Sequence, residues 1–145
     1  MVEFAGYNMP IQYEGVKAEH LAVRNSLGVF DVSHMGEFFI SGEKSTEFLQ
    51  SILSNDVSIL VNDQAQYTCM PNDKNGIVDD LIVYKFNDKK YMLVVNASNI
   101  EKDLNWINSK NNYGVLIKNE SEKYSLLAIQ GPKAIDAMQS LSSID

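Results

Sequence analysis

The alternation of apolar and polar positions between residues 64 and 96 predicts three consecutive β-strands. The three stretches are Gln64 to Met70, Ile77 to Lys85 and Tyr91 to Asn96, and each is rich in β-branched or aromatic side chains. The segments between them, 71–76 and 86–90, are short and contain asparagine and aspartate, which favour turns. Because such turns join neighbouring strands as hairpins, the pattern predicts an antiparallel meander.

Helical periodicity marks two segments in the first half of the chain. A helix is predicted from about Glu14 to Leu27, with Gly28 at the position where a C-terminal cap is favoured. A second helix is predicted where four apolar residues recur on one helical face. These are Phe48, Leu49, Ile52 and Leu53.

Two further helices are predicted in the second half. One runs from Asn99 to about Lys110, where Ser98 and Glu101 match a reciprocal capping box. The other begins with Pro132 at its first helical position. These predictions place a helix on each side of the segment from 111 to 131.

Short strands are predicted at 35–41, 115–118 and 124–129, and the first dozen residues are expected to be irregular. The strands come mostly in hairpins and not singly between helices, so the pattern favours an α+β fold with an antiparallel sheet. The sequence contains neither G-x-G-x-x-G nor a P-loop, which argues against a doubly wound nucleotide-binding fold.

Composition narrows the function classes. The 145 residues suit one domain, 45% of them are hydrophobic, and the net charge is −7 with Arg24 as the sole arginine. Such a chain repels nucleic acid and anionic membranes. One cysteine, Cys69, and two histidines, His20 and His34, argue against an internal disulfide and a structural zinc site. With no signal-like N-terminus and no long apolar run, we expect a cytoplasmic protein that does not span a membrane.

Adjacent carboxylates inside an apolar strand are the strongest chemical signal. Neighbouring side chains in a strand point to opposite faces, so Asp79 and Asp80 diverge and do not form an acid–base pair. A buried carboxylate needs compensation. Either one of them faces water while the other caps a turn or accepts backbone N–H groups, or one lines a pocket. Asp80 is the better pocket candidate because Tyr84 shares its face, and an aromatic beside a carboxylate suits a flat heterocycle with N–H groups.

Other candidate residues carry weaker signals. Ser33 next to His34 could suggest a nucleophile and a base, but a hydrogen-bonded structural histidine is the more common case. Cys69 is expected to be a small core residue. Tyr67 and Asn96 lie on the strands that flank the Asp79–Asp80 strand, so each could reach the same pocket or be a core or edge residue.

Five blocks then become recognisable as a set, in this order along the chain. They are Phe4 to Pro10, Gly28 to Glu37, Asn75 to Tyr84, Val94 to Asn99 and Ala128 to Pro132. In order and spacing they resemble the T-protein (aminomethyltransferase) family of the glycine cleavage system. Family members are more than twice as long as this chain, so the resemblance implies that residues 1–145 are the N-terminal portion of a folate-binding domain built from ferredoxin-like α+β units.

The resemblance also implies a reaction. The aminomethyl group carried on the lipoyl arm of the H-protein is split, its methylene passes to tetrahydrofolate, and ammonia is released. Tetrahydrofolate is therefore the expected cofactor, and the lipoylated H-protein is the expected partner. Because the rest of the family's pocket lies beyond residue 145, the isolated piece is expected to be inactive.

Matching motif to motif, the resemblance assigns the family's central aspartate to Asp80. A carboxylate there can orient the folate nitrogens and stabilise developing positive charge. The family's pocket tyrosine, asparagine and methionine fall on Tyr67, Asn96 and Met35. Tyr84 is added as a further contact because it shares a strand face with Asp80.

One departure from the family pattern is visible near the Ile77 strand. The family commonly has two glycines there, whereas this chain has Asn75 before Gly76, and asparagine tolerates a left-handed backbone. Two alternative functions stay open from the sequence. One is a related folate-dependent demethylase or the folate domain of a sarcosine or dimethylglycine dehydrogenase, and the other is a noncatalytic folate-binding module.

Overall fold

The computed structural model describes residues 1–144, which fall into two compact units. One unit comprises Met1–His34 together with the segment from Ser125 onward, and the other comprises Met35–Tyr124. In chain order the strands and α-helices are β1 (Val2–Phe4), β2 (Tyr7–Met9), α1 (Val16–Asn25), β3 (Gly28–Asp31), β4 (Gly36–Ser41), α2 (Ser45–Ile52), β5 (Ala65–Pro71), β6 (Ile77–Asn87), β7 (Lys90–Val95), α3 (Ile100–Ser109), β8 (Leu116–Asn119), β9 (Leu127–Gln130) and α4 (Ala134–Gln139).

A five-stranded antiparallel sheet dominates the unit from Met35 to Tyr124. Its strand order is β5-β6-β7-β4-β8. The succession β4-α2-β6-β7-α3-β8 is the β-α-β-β-α-β arrangement of ferredoxin-like folds, with β5 added at one edge. This topology confirms the predicted α+β class with an antiparallel sheet.

The predicted meander is present, with its strand ends moved by one or two residues. Strand β5 pairs with β6 and β6 pairs with β7, both antiparallel. The turn before β6 requires a left-handed residue, and Asn75 occupies it with φ 62°. Asparagine reaches this region more readily than most non-glycine residues, so the departure from a double glycine is accommodated locally.

The core lies between one face of this sheet and helices α2 and α3. Successive side chains of a strand point to opposite faces, so every second residue of β4, β6 and β7 enters this core. Its fully or nearly fully buried members include Phe38, Ile40, Phe48, Leu49, Ile52, Leu81, Val83, Tyr91, Leu93, Val95 and Ile107. The predicted helical face of α2 therefore packs on the sheet as expected.

The N-terminus of α3 differs from the prediction. A 3-10 turn over Ala97–Asn99 precedes the helix, which begins at Ile100 with Asn99 at the cap position and no side-chain capping bond. The predicted capping box between Ser98 and Glu101 is therefore wrong. The 3-10 turn moves the cap by one residue, and the Asn99 amide donates to a carboxylate of β6 instead.

The other unit contains two short antiparallel sheets. Strands β1 and β2 form a hairpin, so the expectation that the first dozen residues are irregular is wrong. Strand β3, which the sequence did not reveal, pairs with β9. Helix α4 begins at Ala134 and not at Pro132, because the Ala134 N–H donates to the Gly131 carbonyl and closes a turn first.

Within residues 1–144, none of the helices combines the length and the apolar character needed to cross a membrane.

Candidate functional site

Strand β6 presents its two aspartates to opposite faces of the sheet, as its two-residue period predicts. Asp79 lies on the core face, where it pairs with the buried Met70. Asp80 lies on the other face, where it pairs with Cys69. The two carboxylates therefore meet different environments even though they are adjacent in sequence.

A tyrosine hydroxyl holds the Asp80 carboxylate. Tyr67 lies two residues from Cys69 on β5, diagonal to Asp80, and its hydroxyl donates to Asp80 Oδ2 at 2.5 Å. The hydrogen bond to Asp80 and partial burial raise the pKa of Tyr67, so the phenol stays a donor at neutral pH. The Tyr67 side chain is 63% exposed, which leaves much of its ring free for contact.

The Asn96 amide joins the two faces. Asn96 follows β7, and its Nδ2 donates to Asp79 Oδ1 at 3.0 Å, to the Asp80 carbonyl at 3.2 Å and to Asp80 Oδ1 at 3.3 Å. Tyr67 and Asn96 thus bind different oxygens of the Asp80 carboxylate, which fixes its orientation.

The Asp79 side chain is buried at the end of the core face, with 9% of it exposed. Asp79 Oδ1 accepts the Asp80 N–H at 2.9 Å as well as the Asn96 amide, and Oδ2 accepts the Asn99 amide at 2.7 Å. Burial acts to raise the pKa of Asp79, but hydrogen bonds from Asp103, Asn99, the Asp80 backbone and Asn96 together place it below its ordinary value. Asp79 is therefore an anion with saturated hydrogen bonding.

A third carboxyl group adjoins Asp79 from helix α3. Asp103 is fully buried, and neither of its oxygens accepts a hydrogen bond from a donor within residues 1–144. The Lys102 ammonium lies 3.7 Å from Asp103 Oδ1 and 3.8 Å from Asp79 Oδ2. Burial, together with the hydrogen bond and charge of Asp79, raises the pKa of Asp103 to about 7 despite the opposing effect of Lys102.

The structure brings Asp80, Tyr67 and Asn96 together and leaves Tyr84 further along the strand. Met35 directly precedes β4, whose first pair is Gly36 with Val95, so it continues the register beside Asn96. Tyr84 shares the Asp80 face, but four residues along an extended strand separate the two by about 13 Å. Tyr84 therefore lies beyond the direct reach of the carboxylate.

Of the three weaker candidates, Cys69, Ser33 and His34, the last two occupy positions that fit structural roles. Cys69 was expected in the core, but it is half-buried on the Asp80 face, because Thr68 and Met70 take the core positions of β5. The Ser33 hydroxyl accepts the Leu126 N–H at 3.0 Å, and the His34 ring packs edge-on against Phe4 with a centroid distance of 5.5 Å. These contacts agree with the structural role for Ser33 and His34.

A cavity of about 570 Å³ lies in the unit that contains Ser33 and His34. It is lined by residues between Tyr7 and His34, and these include none of the five predicted site residues. The residues that line this cavity are therefore different from the Asp80 cluster, which consists of Asp80, Tyr67 and Asn96.

Sequence reasoning missed Asn99, Lys102 and Asp103. A signal for Asp103 existed, because it falls between Ile100 and Ile107 on the apolar stripe of the helix, where a carboxylate is unexpected. Its position in the first helical turn, where acidic residues commonly interact favourably with the helix dipole, offered a simpler explanation.

The fold and the site together define a class of protein. It is a mixed α+β domain that presents a hydrogen-bonded carboxylate on one face of an antiparallel sheet. More particularly, the chain belongs to the family of GCVT N-terminal domains, whose family model matches residues 1–145. This match confirms the family that the five sequence blocks indicate.

Relatives of known identity are aminomethyltransferases. The chain is 67% identical over 145 residues to the aminomethyltransferase of Flavobacterium psychrophilum and 57% identical over 145 residues to that of Bacteroides fragilis. Each match covers 100% of this chain and 40% of the relative, so the chain spans 40% of the length of these curated relatives.

Solved structures show the same fold. The glycine cleavage system aminomethyltransferase T from Bartonella henselae matches with a TM-score of 0.86 and 35% identity, over 96% of this chain and 38% of that chain. A heterotetrameric sarcosine oxidase from Corynebacterium sp. U-96 matches with a TM-score of 0.54 and 11% identity, over 89% of this chain and 64% of that chain. The second likeness shows a shared fold alone.

Proposed function

We propose that this chain supplies the folate-facing carboxylate of an aminomethyltransferase of the glycine cleavage system. The reaction transfers a methylene group from the aminomethyl-lipoyl arm of the H-protein to tetrahydrofolate, releases ammonia and leaves the arm as dihydrolipoyl H-protein. Family membership and the identity of the relatives support this activity. The single cysteine of the chain supports a reducing, cytoplasmic setting as part of the same proposal.

The observation that carries the proposal is the orientation of the Asp80 carboxylate. Tyr67 binds Oδ2 and Asn96 binds Oδ1, so the group is held before any ligand arrives. Preorganised charge of this kind stabilises a transition state without further rearrangement of the protein.

The chemistry of these side chains fits a reduced pterin. A carboxylate accepts hydrogen bonds from ring N–H groups, and the exposed ring of Tyr67 offers a flat surface to a heterocycle. When bound, tetrahydrofolate supplies the nitrogen nucleophiles that take the methylene group. Asp80 would orient those nitrogens and place negative charge beside the positive charge that develops during transfer.

Met35 and Tyr84 enter the proposal in lesser roles. Met35, next to Asn96 in the strand register, would offer an apolar contact to the heterocycle. Tyr84 lies further along the same strand face and would contact a more distant part of the ligand.

The proposal predicts that this chain functions in the context of a complete relative. In the test, the chain replaces the 145 matching residues of the Flavobacterium psychrophilum aminomethyltransferase. The chimaera is then assayed with aminomethylated H-protein and tetrahydrofolate for ammonia and 5,10-methylenetetrahydrofolate. We expect both products to form at a rate comparable to that of the unaltered relative, because the Asp80 cluster lies within this chain.

The isolated 145-residue chain is the companion sample. We expect it to bind tetrahydrofolate weakly and to release no ammonia, because it spans 40% of the length of the aminomethyltransferase that it matches. A chimaera that binds tetrahydrofolate but forms neither product would support the noncatalytic folate-binding alternative. Oxidation or demethylation of sarcosine without ammonia release from H-protein would support the demethylase alternative.

A further inference from the structure

Two carboxyl groups from two elements lie behind the proposed folate-facing surface, Asp79 from β6 and Asp103 from the first turn of α3. Asp80, the next residue of β6, lies on the folate-facing side of the sheet. Asp103 is completely buried and Asp79 is nearly so. Two anions side by side in such a place would repel each other strongly and lose their hydration.

The hydrogen bonds assign the charge within the buried pair. Asp79 accepts from two side-chain amides and one backbone N–H, so it is built to be the anion. Asp103 accepts from no donor within residues 1–144, and the Lys102 ammonium stays at salt-bridge distance from it. A carboxyl group without donors is best satisfied by carrying the proton itself and donating it to its neighbour. The Lys102 ammonium lies 3.8 Å from Asp79 Oδ2 and 3.7 Å from Asp103 Oδ1, so the two carboxyl groups are neighbours around the same cation.

The pair is connected to Asp80 through one amide. Asn96 Nδ2 donates both to Asp79 Oδ1 at 3.0 Å and to Asp80 Oδ1 at 3.3 Å. The Asp80 N–H also donates to Asp79 Oδ1, at 2.9 Å. The position of Asp79 therefore determines where Asn96 and the Asp80 backbone lie, and these two groups orient the Asp80 carboxylate.

We propose that Asp79 and Asp103 share one buried proton, and that this proton keeps the Asn96 amide and the Asp80 carboxylate in their working orientation. Asp103 is thus a positioning residue that acts through Asp79 and Asn96. The catalytic role of Asp103 rests on the function proposed above. The shared proton is independent of that function, because it is inferred from the contacts of the buried pair alone.

The shared proton should make the stability of the chain depend on pH. The charged groups that face Asp103 are Asp79 from β6 and Lys102 from its own helix, with Asp80 one amide further away. The pKa of Asp103 is raised from 3.8 to about 7, so the folded chain keeps a proton that the unfolded chain loses near pH 4. The free energy of unfolding should therefore fall as pH rises from about 4 to about 7 on account of this group.

The first experiment is a pH titration of the unsubstituted 145-residue chain by carboxyl-carbon NMR, with Asp79 and Asp103 assigned. We expect the buried pair to lose its last proton near neutral pH, and the resonances of both residues to respond together. Titration of both groups near pH 4, each independently, would overturn the shared proton. This measurement requires no enzymatic activity and no substitution.

The second experiment compares variants in the active chimaera across pH. Asp103→Asn keeps a side-chain donor toward Asp79 but cannot titrate, so we expect kcat near the parent value at pH 6 and no decline of kcat above pH 7. Asp103→Leu removes the donor, and we expect kcat to fall about tenfold to a hundredfold with a smaller change in KM, because the Asp80 carboxylate loses its orientation. Glu101→Gln, which removes a charge from an exposed position of the same helical turn, is the matched control and should leave the pH profile unchanged.

The outcomes separate this inference from the proposed function. An inactive chimaera whose buried pair still shares a proton would refute the function and retain the shared proton. An active chimaera in which Asp103→Asn keeps the alkaline decline of the parent would overturn the positioning role. If Asp103→Leu does not fold, the Asp103→Asn pH profile and the NMR titration still decide both parts.

Discussion

Replacing Asp80 by asparagine is expected to lower kcat of the active chimaera by about 10²–10³-fold, the range found when a preorganised charge-stabilising group is lost. Asparagine has nearly the shape of aspartate, and its oxygen can still accept from Tyr67 or Asn96. The negative charge beside the developing positive charge is lost, so the transition state suffers more than the bound ground state. Measurement of kcat and KM with tetrahydrofolate and aminomethylated H-protein checks this expectation.

Two further variants make the result specific. Asp136→Asn applies the same chemical change at an exposed position of α4 and should leave kcat unchanged. Tyr67→Phe removes the donor to Asp80 Oδ2 while keeping the charge, so we expect a smaller loss than for Asp80→Asn. Turnover of the Asp80→Asn chimaera within twofold of the parent, with the fold intact, would remove Asp80 from the proposed role.

The prediction that Asp79 and Asp80 diverge needed only the two-residue period of a strand. That period is local, so the sequence indicates it directly, and the structure places Asp80 on the Tyr67 face. The link between the two carboxylates through Asn96 could not be read in this way. It depends on how the chain leaves β7, where the side chain of Asn96 turns toward β6 and reaches both residues.

The role of helix α3 was harder to predict than its existence. Its apolar stripe predicts that Ile100, Leu104 and Ile107 face the sheet, and all three pack against the core. Asp103 on the same stripe has no local explanation, because its partner Asp79 is 24 residues away in the sequence. Asn99 was predicted as the first residue of the helix, whereas in the fold it lies at the cap position and its amide donates to Asp79.

Strand β3 was not predicted from the sequence because it is held by pairing with a distant segment. Strand β3 has four residues and pairs with β9, about one hundred residues later in the chain, with Val29 opposite Ile129. A strand so short carries little periodicity of its own. Its partner lies directly before Gly131, in the last of the five blocks by which the family was recognised.

Gly131 occupies a position that only glycine fits. Its φ of +126° lies in a region that side chains with a Cβ rarely adopt. A Cβ there would clash with the Ser26 carbonyl oxygen and would lie 2.7 Å from both Leu27 Cα and the Val23 carbonyl oxygen. These are backbone atoms at the end of α1, so the clash cannot be relieved by rotation of a side chain. The Ser26 carbonyl also accepts the Lys133 N–H at 3.0 Å, which ties the two segments together.

Gly131→Ala is therefore expected to lower the free energy of unfolding of the chain by about 3 kcal/mol or more, since backbone displacement adds to the cost of the positive φ. Gly114→Ala is the matched control. Gly114 has φ +70° with open space within 4 Å of an added Cβ, so its substitution should cost about 1 kcal/mol. Urea unfolding followed by circular dichroism gives both values, and hydrogen exchange should show lost protection in α1, β3 and β9 for Gly131→Ala alone. Equal losses for the two variants would show that the backbone of α1 yields to the added methyl group, and that the glycine in this block is required only for its φ.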